Sequence, residues 1–345
     1  MILEILILLA GFYIGWNIGA NDAANCVGAD VGSGKMTMNE GIIITVVFSF
    51  LGAMLFGGNV IKTVGKGIVP LDKIIAGDFE TAGISSQAGL FMVMAAALSA
   101  GICVMLATYW KLPVSTSHAI VGAVAGTGLV FIKSAPGLIK WSVLESIALS
   151  WVITPIGAAA LAFLLYKPLA WLFGKIVPPK YEHKVFRMLI IGTSLYLAFT
   201  WGANDVANAT GIIAGTGITI GGVPISIRMA TFIGALAIAL GIVTFGRRVI
   251  ETVGFGITNL LPIMTIVAEI ASGLNVMIYT FFGIPVSTSH SIIGAVAGVG
   301  LWHGTHGVNK KTLRDIGLAC VGTPFVAGAT SFIMMKIIFM LGLVK

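Results

Sequence analysis

Long apolar stretches separated by short polar segments make up most of this chain. The hydrocarbon core of a bilayer is about 30 Å thick, so a run of roughly 20 apolar residues can cross it as a helix. The less regular, glycine-rich segments near 20–34 and 205–224 are expected to be short helices or unwound backbone. The runs that predict membrane spans lie near 2–18, 41–60, 89–109, 115–132, 143–165, 187–201, 229–245, 260–282, 286–302 and 317–342.

Composition places the chain among membrane proteins. Hydrophobic residues make up 57% of its 345 residues and charged residues only 10%, against about 25% charged in soluble domains. The sequence therefore predicts an all-α polytopic protein embedded in the lipid bilayer. The net charge of +7 does not indicate nucleic-acid binding, because basic residues between spans follow the positive-inside tendency of membrane proteins.

Basic residues are most concentrated in a proline-containing segment near the middle of the chain. We interpret residues 166–186 as a cytoplasmic linker between a first transmembrane repeat, 1–165, and a second, 187–345. If each half crosses the membrane an odd number of times, the halves are inverted and both termini lie outside. The basic residues in and beside the segment are Lys167, Lys175, Lys180, Lys184 and Arg187.

Two polar motifs occur twice each, and every copy has apolar surroundings. GANDAAN at 19–25 returns as GANDVAN at 202–208, and PVSTSH at 113–118 returns at 285–290. The second pair belongs to a longer match in which 13 of 17 positions are identical. Carboxylates, amides and hydroxyls are costly in hydrocarbon. A duplicated set of them predicts a transporter whose binding site lies between two related halves.

The PVSTSH segments contain the residues of a helix start. Proline suits the first turn of a helix or the residues just before it, and serine and threonine are strong N-cap residues. A helix N-terminus inside the membrane offers free N–H groups and a partial positive charge, which suit an anion. Simple helix capping is the alternative, but it does not require the same sequence twice. The candidate hydroxyl groups belong to Ser115, Thr116, Ser117, Ser287, Thr288 and Ser289.

The GANDAAN and GANDVAN motifs have the residues of a cation site. Hard cations prefer oxygen ligands, and a cation or a proton offsets the cost of a carboxylate in the membrane. Gly19 and Gly202 are expected to let the backbone open and to lend carbonyl groups as further ligands. The alternative is a network of acids and amides that ties helices together. The candidate side chains are Asn21, Asp22, Asn25, Asn204, Asp205 and Asn208.

The two kinds of motif are complementary in charge. A multiply charged anion in a low-dielectric site needs balancing cations, helix dipoles or protons, and cation binding that improves anion binding produces coupled uptake. Oxygen-only ligands favour sodium as the coupling ion. Because His118 and His290 could carry protons, a proton stays open as the coupling ion, although a packed hydrogen-bonding role is the simpler interpretation of both histidines. No organic cofactor is expected.

At these motifs the chain resembles the inorganic phosphate transporter (PiT) family of sodium- or proton-coupled phosphate permeases. The four motif matches stand in the order that the family has, and the resemblance covers essentially the whole chain. The resemblance implies two inverted-topology repeats with broken helices and re-entrant hairpins, about 12 membrane segments and a homodimer. Carried over by position, phosphate is expected at Ser115, Thr116, Ser117, Ser287, Thr288 and Ser289, with Asp22, Asn25, Asp205 and Asn208 lining the same core. The sodium candidates, assigned by charge, are Asn21, Asp22, Asn204 and Asp205.

We therefore expect a secondary active transporter of the plasma membrane that moves phosphate with sodium by alternating access. A proton-coupled phosphate permease and a sulfate permease stay open, although carboxylate acceptors favour phosphate, which can donate hydrogen bonds. A passive anion channel has no need of paired cation sites. An intramembrane hydrolase is disfavoured, because adjacent Ser117 and His118 point in different directions on a helix and the chain has no G-x-S-x-G elbow. No enzymatic activity is expected.

Overall fold

The computed structural model of this protein is built almost entirely from helices. It describes residues 2–110, 114–214, 218–220, 222–256, 260–303 and 310–344. The helices of these segments are α1 (Ile2–Gly32), α2 (Met38–Phe56), α3 (Gly58–Lys66), α4 (Leu71–Ala76), α5 (Ser86–Tyr109), α6 (Thr116–Leu129), α7 (Trp141–Ile176), α8 (Glu182–Thr210), α9 (Ile227–Gly241), α10 (Arg247–Gly256), α11 (Pro262–Phe281), α12 (Thr288–Gly300) and α13 (Lys310–Met340). A π-helical turn, Ile242–Gly246, joins α9 to α10, and short 3₁₀ turns occupy Glu80–Ala82, Pro179–Tyr181 and Leu301–His303.

Eight helical segments among the described residues are long and apolar enough to cross a membrane. Large apolar side chains such as Leu149, Ile156 and Leu164 of α7 are exposed, as expected where the surroundings are lipid rather than water. An all-helical, polytopic membrane protein is thus confirmed, and the expected total of about 12 segments stays a prediction. The eight segments are Ile2–Gly32, Met38–Phe56, Ser86–Tyr109, Trp141–Ile176, Pro179–Thr210, Ile227–Glu251, Pro262–Phe281 and Val321–Met340.

The helices that begin at the PVSTSH motifs are too short to cross a bilayer. α6 has 14 residues and α12 has 13, which corresponds to roughly 20 Å at about 1.5 Å per residue. Each packs beside the long helix that precedes it, α5 or α11. Ser115 and Ser287, which cap the two short helices, are buried. The predicted helix N-termini in the protein interior are therefore confirmed.

Helices α1 and α8 pass through the GANDAAN and GANDVAN motifs without interruption. The prediction that Gly19 and Gly202 open the backbone is wrong, because both lie inside regular helix. Their lack of a side chain serves close packing instead. A Cβ atom would overlap the carbonyl oxygen of Ile238 at Gly19 and that of Ser49 at Gly202. Small residues let membrane helices approach closely in this way.

The two segments predicted to be irregular behave differently. Residues near 20–34 are helical up to Gly32, so that expectation is wrong for most of the segment. After Thr210 the chain does leave the helix, and strands Thr219–Ile220 and Val223–Pro224 pair as an antiparallel hairpin. The segment 166–186 is mainly helical, because α7 and α8 extend into it from both sides.

α1 and α8 pack against each other in opposite directions. A Cβ atom on Gly11 would lie 3.4 Å from the Ala209 carbonyl oxygen, whereas Asp30, near the other end of α1, accepts a hydrogen bond from Ser194. Residues later in α1 therefore contact residues earlier in α8, so the two helices are antiparallel. Since each helix carries one GAND motif, this packing places the two motifs in the same region of the protein.

Each short helix packs on a long helix from the opposite half of the chain. The sequence GAVAG follows both PVSTSH motifs, and each of its glycines lies against the backbone of another helix. The close approaches join Gly122 to Pro324 and Gly126 to Gly328 between α6 and α13, and Gly294 to Pro155 and Gly298 to Ala159 between α12 and α7. The two halves are thus interlocked around the motif-bearing helices.

Candidate functional site

The aspartate of each GAND motif is bound by the threonine of the PVSTSH motif in its own half. The hydroxyl of Thr116 donates to Asp22 Oδ2 at 2.8 Å, and that of Thr288 donates to Asp205 Oδ2 at 2.9 Å. All four residues are buried. The two motifs that the sequence treats separately thus form one structural unit in each half.

The second asparagine of each motif crosses to the other half. The Asn25 amide donates to the Ser289 hydroxyl at 2.7 Å, and the Asn208 amide donates to the Ser117 hydroxyl at 2.8 Å. Ser117 in turn donates to the Val286 carbonyl at 2.9 Å. These bonds bring both copies of both motifs into one cluster at the junction of the halves.

The first asparagine of each motif holds the helix that leads to the PVSTSH segment. The Asn21 amide donates to Thr108 Oγ1 at 2.8 Å, and the Asn204 amide donates to Thr280 Oγ1 at 2.9 Å. Asn204 also accepts from the Val286 N–H at 3.2 Å through its Oδ1 atom. Both asparagines therefore tie neighbouring helices together, which is the alternative role that the sequence analysis considered for these motifs.

Thr108 and Thr280 are the site residues that the sequence analysis missed. Each is buried and donates to a carbonyl of its own helix at 2.8 Å or 2.9 Å, Val104 for the first and Val276 for the second. A signal was present in the sequence, because both threonines stand five residues before the proline of a PVSTSH motif.

The remaining serines of the motifs are N-caps. The Ser115 hydroxyl accepts from the His118 N–H at 3.3 Å, and the Ser287 hydroxyl accepts from the His290 N–H at 3.3 Å. Both residues have extended backbone, with φ near −84° and ψ of 110° at Ser115 and nearly the same angles at Ser287. Ser115 and Ser287 therefore cap their helices, as the alternative interpretation of the PVSTSH hydroxyls predicts.

Among the described residues, the motif aspartates are bonded by hydroxyl and amide groups rather than by basic side chains. Two ion pairs of the described segments, Arg187 with Glu40 and Arg247 with Glu251, are solvent-exposed and involve neither motif aspartate. The Asn208 Oδ1 atom is buried without a hydrogen-bond partner. Of the twelve predicted site residues only Asn25 is partly exposed. Buried carboxylates without a cationic partner are costly, so the cluster suits the entry of positive charge.

The two motif histidines meet beside the cluster. The rings of His118 and His290 are 4.7 Å apart in an edge-to-face arrangement, and His118 stacks on Trp151 with ring centroids 3.9 Å apart. This packing agrees with the simpler of the two roles considered for them.

Spanning helices that surround a buried, duplicated polar cluster are the features of a membrane transport protein. The chain belongs to the phosphate transporter family, whose profile matches residues 18–331. It is 31% identical to a candidate phosphate permease of Pyrococcus horikoshii over 98% of both chains. It is 30% identical to the chloroplastic inorganic phosphate transporter 2-1 of Arabidopsis thaliana, over 90% of this chain and 68% of that one.

A solved structure has the same fold. The structure described as the sodium-dependent phosphate transporter matches with a TM-score of 0.83 and 26% identity, over 99% of this chain and all of that chain. The family and these relatives are transporters and permeases, and the membership predicted from the motifs is confirmed.

Proposed function

We propose that this protein is a secondary active transporter that moves inorganic phosphate together with sodium through the cluster of the two motif pairs. The observation that carries the proposal is the reciprocal bonding of the halves, in which Asn25 contacts Ser289 and Asn208 contacts Ser117. A site shared by two halves changes its access when one half moves against the other, which is the basis of alternating access.

The anion is assigned to the N-termini of α6 and α12. The hydroxyl groups of Ser115, Thr116 and Ser117, with their second-half counterparts, can donate to phosphate oxygens once a substrate competes for them. The first-turn N–H groups and the helix dipoles add positive potential. Phosphate at neutral pH also carries protons that carboxylates can accept, which sulfate lacks. The second-half counterparts are Ser287, Thr288 and Ser289.

The cation is assigned to the acid and amide oxygens. Asp22 and Asp205 are the carboxylates, and the amides of Asn21, Asn204, Asn25 and Asn208 surround them. Two sodium ions at these carboxylates offset the charge of the anion, so that each ligand improves the binding of the other. The sodium dependence of the structural relative supports this ion. A proton-coupled carrier is the alternative, favoured by the contact of His118 with His290.

The architecture is proposed to consist of two inverted repeats, 1–165 and 187–345, joined by the cytoplasmic segment 166–186. The opposite directions of α1 and α8 support an inverted relationship. The short helices α6 and α12 are proposed to be arms of re-entrant hairpins, within a total of about 12 membrane segments. We propose a homodimer in the plasma membrane with both termini outside, and cysteine accessibility near the termini in intact cells tests this orientation.

Uptake of radiolabelled phosphate into proteoliposomes tests the proposed function. One set of vesicles carries an inward sodium gradient, and the other carries an inward proton gradient without sodium. The proposal predicts accumulation with sodium, and excess unlabelled sulfate should not compete. Accumulation driven only by the proton gradient would show that protons, and not sodium, are the coupling ions. Uptake of sulfate, or uptake that only equilibrates under both gradients, would contradict the proposal.

A further inference from the structure

A cleft between α2, α3 and α9 lies outside the motif cluster. Its volume is about 360 Å³, which is within the usual range of ligand pockets. The candidate span Met38–Phe56 ends at this cleft, and the candidate span Ile227–Glu251 begins there. The cleft therefore lies where two neighbouring spans meet one edge of the membrane. Its lining includes Met54, Leu55, Asn59, Lys62, Arg228 and Thr231.

The two basic residues of the cleft mark the boundary of the hydrocarbon. Residues 41–61, which precede Lys62, and residues 229–246, which follow Arg228, contain no charged side chain. Each stretch is about 27–32 Å long as a helix, close to the thickness of the hydrocarbon core. Phe50 and Phe232 of the two stretches contact each other edge to face, so the stretches cross the membrane side by side. We therefore expect Lys62 and Arg228 at the level of the lipid headgroups.

The positive charge of the cleft is not balanced by an acid in its lining. Both basic side chains are exposed, and no acid lines the cleft within the part of the chain that the structure describes. Two ion pairs of the described segments, at Glu40 and Glu251, include neither Lys62 nor Arg228. The cleft therefore attracts an anion from outside the protein.

The corresponding position in the second half carries the opposite charge. KTVGKGI at 62–68 repeats as ETVGFGI at 251–257, so Lys62 corresponds to Glu251 and Gly58 corresponds to Arg247. Glu251 pairs with Arg247 of its own helix at 3.4 Å. In the first half, glycine replaces the arginine of this pair and lysine replaces the acid. The exchange removes a long side chain, which leaves room for the cleft, and places a positive charge in its lining.

The polar groups of the cleft suit a phosphate group. The guanidinium group of arginine binds phosphate oxygens in a bidentate manner, and the ammonium group of lysine adds a second positive charge. The exposed amide of Asn59 offers further N–H donors. Snorkelling alone would carry Lys62 and Arg228 from the apolar region to water. It does not account for their position in one cleft, on two different helices.

Exposed apolar side chains continue from the cleft towards the middle of the membrane. Val47, Leu51 and Leu55 are exposed on α2 at helical spacing, and Phe232 and Leu236 are exposed on α9. Such faces suit acyl chains, whereas free inorganic phosphate has no apolar part to place against them. A basic pocket between membrane helices is a recognised binding site for anionic lipid headgroups.

We infer that this cleft binds an anionic phospholipid, whose headgroup phosphate contacts Lys62 and Arg228 and whose acyl chains lie along α2 and α9. The site adjoins the second PVSTSH segment, because a Cβ atom at Gly283 would lie 3.0 Å from the Asn59 carbonyl oxygen. Gly283 stands two residues before the proline of that motif. A bound lipid thus contacts the helix that supports this turn, whichever ions the protein transports.

Native mass spectrometry of the purified protein in detergent tests this inference. Phosphatidylglycerol and phosphatidylcholine with the same acyl chains are titrated separately, and the inference predicts tighter binding of phosphatidylglycerol. Lys62→Ala/Arg228→Ala should weaken that binding roughly 25-fold, or about fivefold for each basic residue. Lys133→Ala/Lys180→Ala removes two exposed charges elsewhere and should bind like the wild type. Equal affinity of the wild type for both lipids would overturn the inference, as would equal losses in the two double variants.

A further variant separates binding in the cleft from attraction to surface charge. Gly58→Leu keeps both basic residues but fills the cleft, because a Cβ atom at Gly58 would meet only the Ile227 side chain, at 4.0 Å. It should weaken phosphatidylglycerol binding by about tenfold or more, as a mismatch of size in a pocket does. Gly192→Leu makes the same change on α8 where a Cβ atom meets nothing within 4 Å, and it should have no effect. Unchanged binding by the Gly58 variant would contradict the inference.

Two other occupants of the cleft give different results in the same experiment. Excess inorganic phosphate at constant ionic strength should not displace phosphatidylglycerol, and displacement would show that the cleft takes the free anion instead. Dimers that bind no phosphatidylglycerol would show that a second copy of the chain covers this face. Either result would overturn the inference, and size-exclusion chromatography checks that each variant is folded.

Discussion

The Asn25 amide and the Ser289 hydroxyl are joined by a 2.7 Å hydrogen bond, although 264 residues separate them in the chain. The bond between Asn208 and Ser117 repeats this relationship with the halves exchanged. Each half therefore completes the polar cluster of the other. A substrate bound in this cluster is held by both halves at once, and relative movement of the halves changes how it is held.

Substitution of Asn25 by alanine should weaken phosphate binding, and Asn208→Ala should do so to a similar extent. Each removes one hydrogen bond between the halves, which is worth about 0.5–1.5 kcal/mol. Double-mutant cycles with Ser289→Ala and Ser117→Ala should give coupling energies of roughly 0.5–3 kcal/mol for the contacting pairs. Phosphate dissociation constants of the purified variants measure this. Additive effects of the two substitutions in each pair on the phosphate dissociation constant would show that these hydrogen bonds do not contribute to phosphate binding.

Substitution of Asp22 or Asp205 by asparagine should abolish sodium-driven phosphate accumulation while the protein still folds. The amide preserves the shape of the side chain but removes the negative charge that the cation balances. Uptake into proteoliposomes measures accumulation, and size-exclusion chromatography checks folding. Asp78→Asn is a matched control, because Asp78 is exposed, and it should accumulate phosphate normally. Normal accumulation by both motif variants would refute the role given to the carboxylates.

Substitution of Thr108 or Thr280 by valine should reduce phosphate affinity by about 5- to 150-fold. Valine fills the same space but removes the hydroxyl that accepts from the amide of Asn21 or Asn204, and loss of one partner of a buried hydrogen bond costs about 1–3 kcal/mol. Thr45→Val is the control, since the buried Thr45 hydroxyl bonds a carbonyl of its own helix. Equal effects of all three substitutions on the dissociation constant would mean that the two threonines do not position the motif.

Substitution of Gly298 by alanine should lower the thermal stability of the protein. A Cβ atom there would overlap the backbone of Ala159, and overpacking costs about 1–3 kcal/mol. Gly192→Ala makes the same chemical change in α8 where a Cβ atom would meet nothing within 4 Å. It should leave the melting temperature unchanged or raise it slightly. A melting temperature of the Gly298 variant equal to that of the control would contradict the close packing of α12 on α7.

Sequence reasoning predicted the features that depend on local chemistry. The helix starts at Ser115 and Ser287 were predicted because proline and hydroxyl residues there have local preferences, and the structure has them. The expected opening of the backbone at Gly19 and Gly202 was wrong, because glycine permits both irregular backbone and close helix packing. The sequence alone does not distinguish these uses, whereas the neighbouring carbonyls of Ile238 and Ser49 do.

The contacts between the halves could not be predicted from one sequence. The repeat indicated that both halves contribute to one site, but it did not determine that threonine bonds within a half and asparagine bonds across. That distinction depends on how α1 and α8 pack.

The sodium dependence of phosphate binding to purified protein tests the central claim most directly, because that claim places the anion and the cations in one cluster. Equilibrium binding of radiolabelled phosphate would be measured with sodium and with choline in its place. We predict that sodium raises phosphate affinity by about 5- to 150-fold, the usual range of coupling between two ligands, and that Asp22→Asn/Asp205→Asn removes this increase. Equal affinity of the wild type in sodium and in choline would contradict the claim.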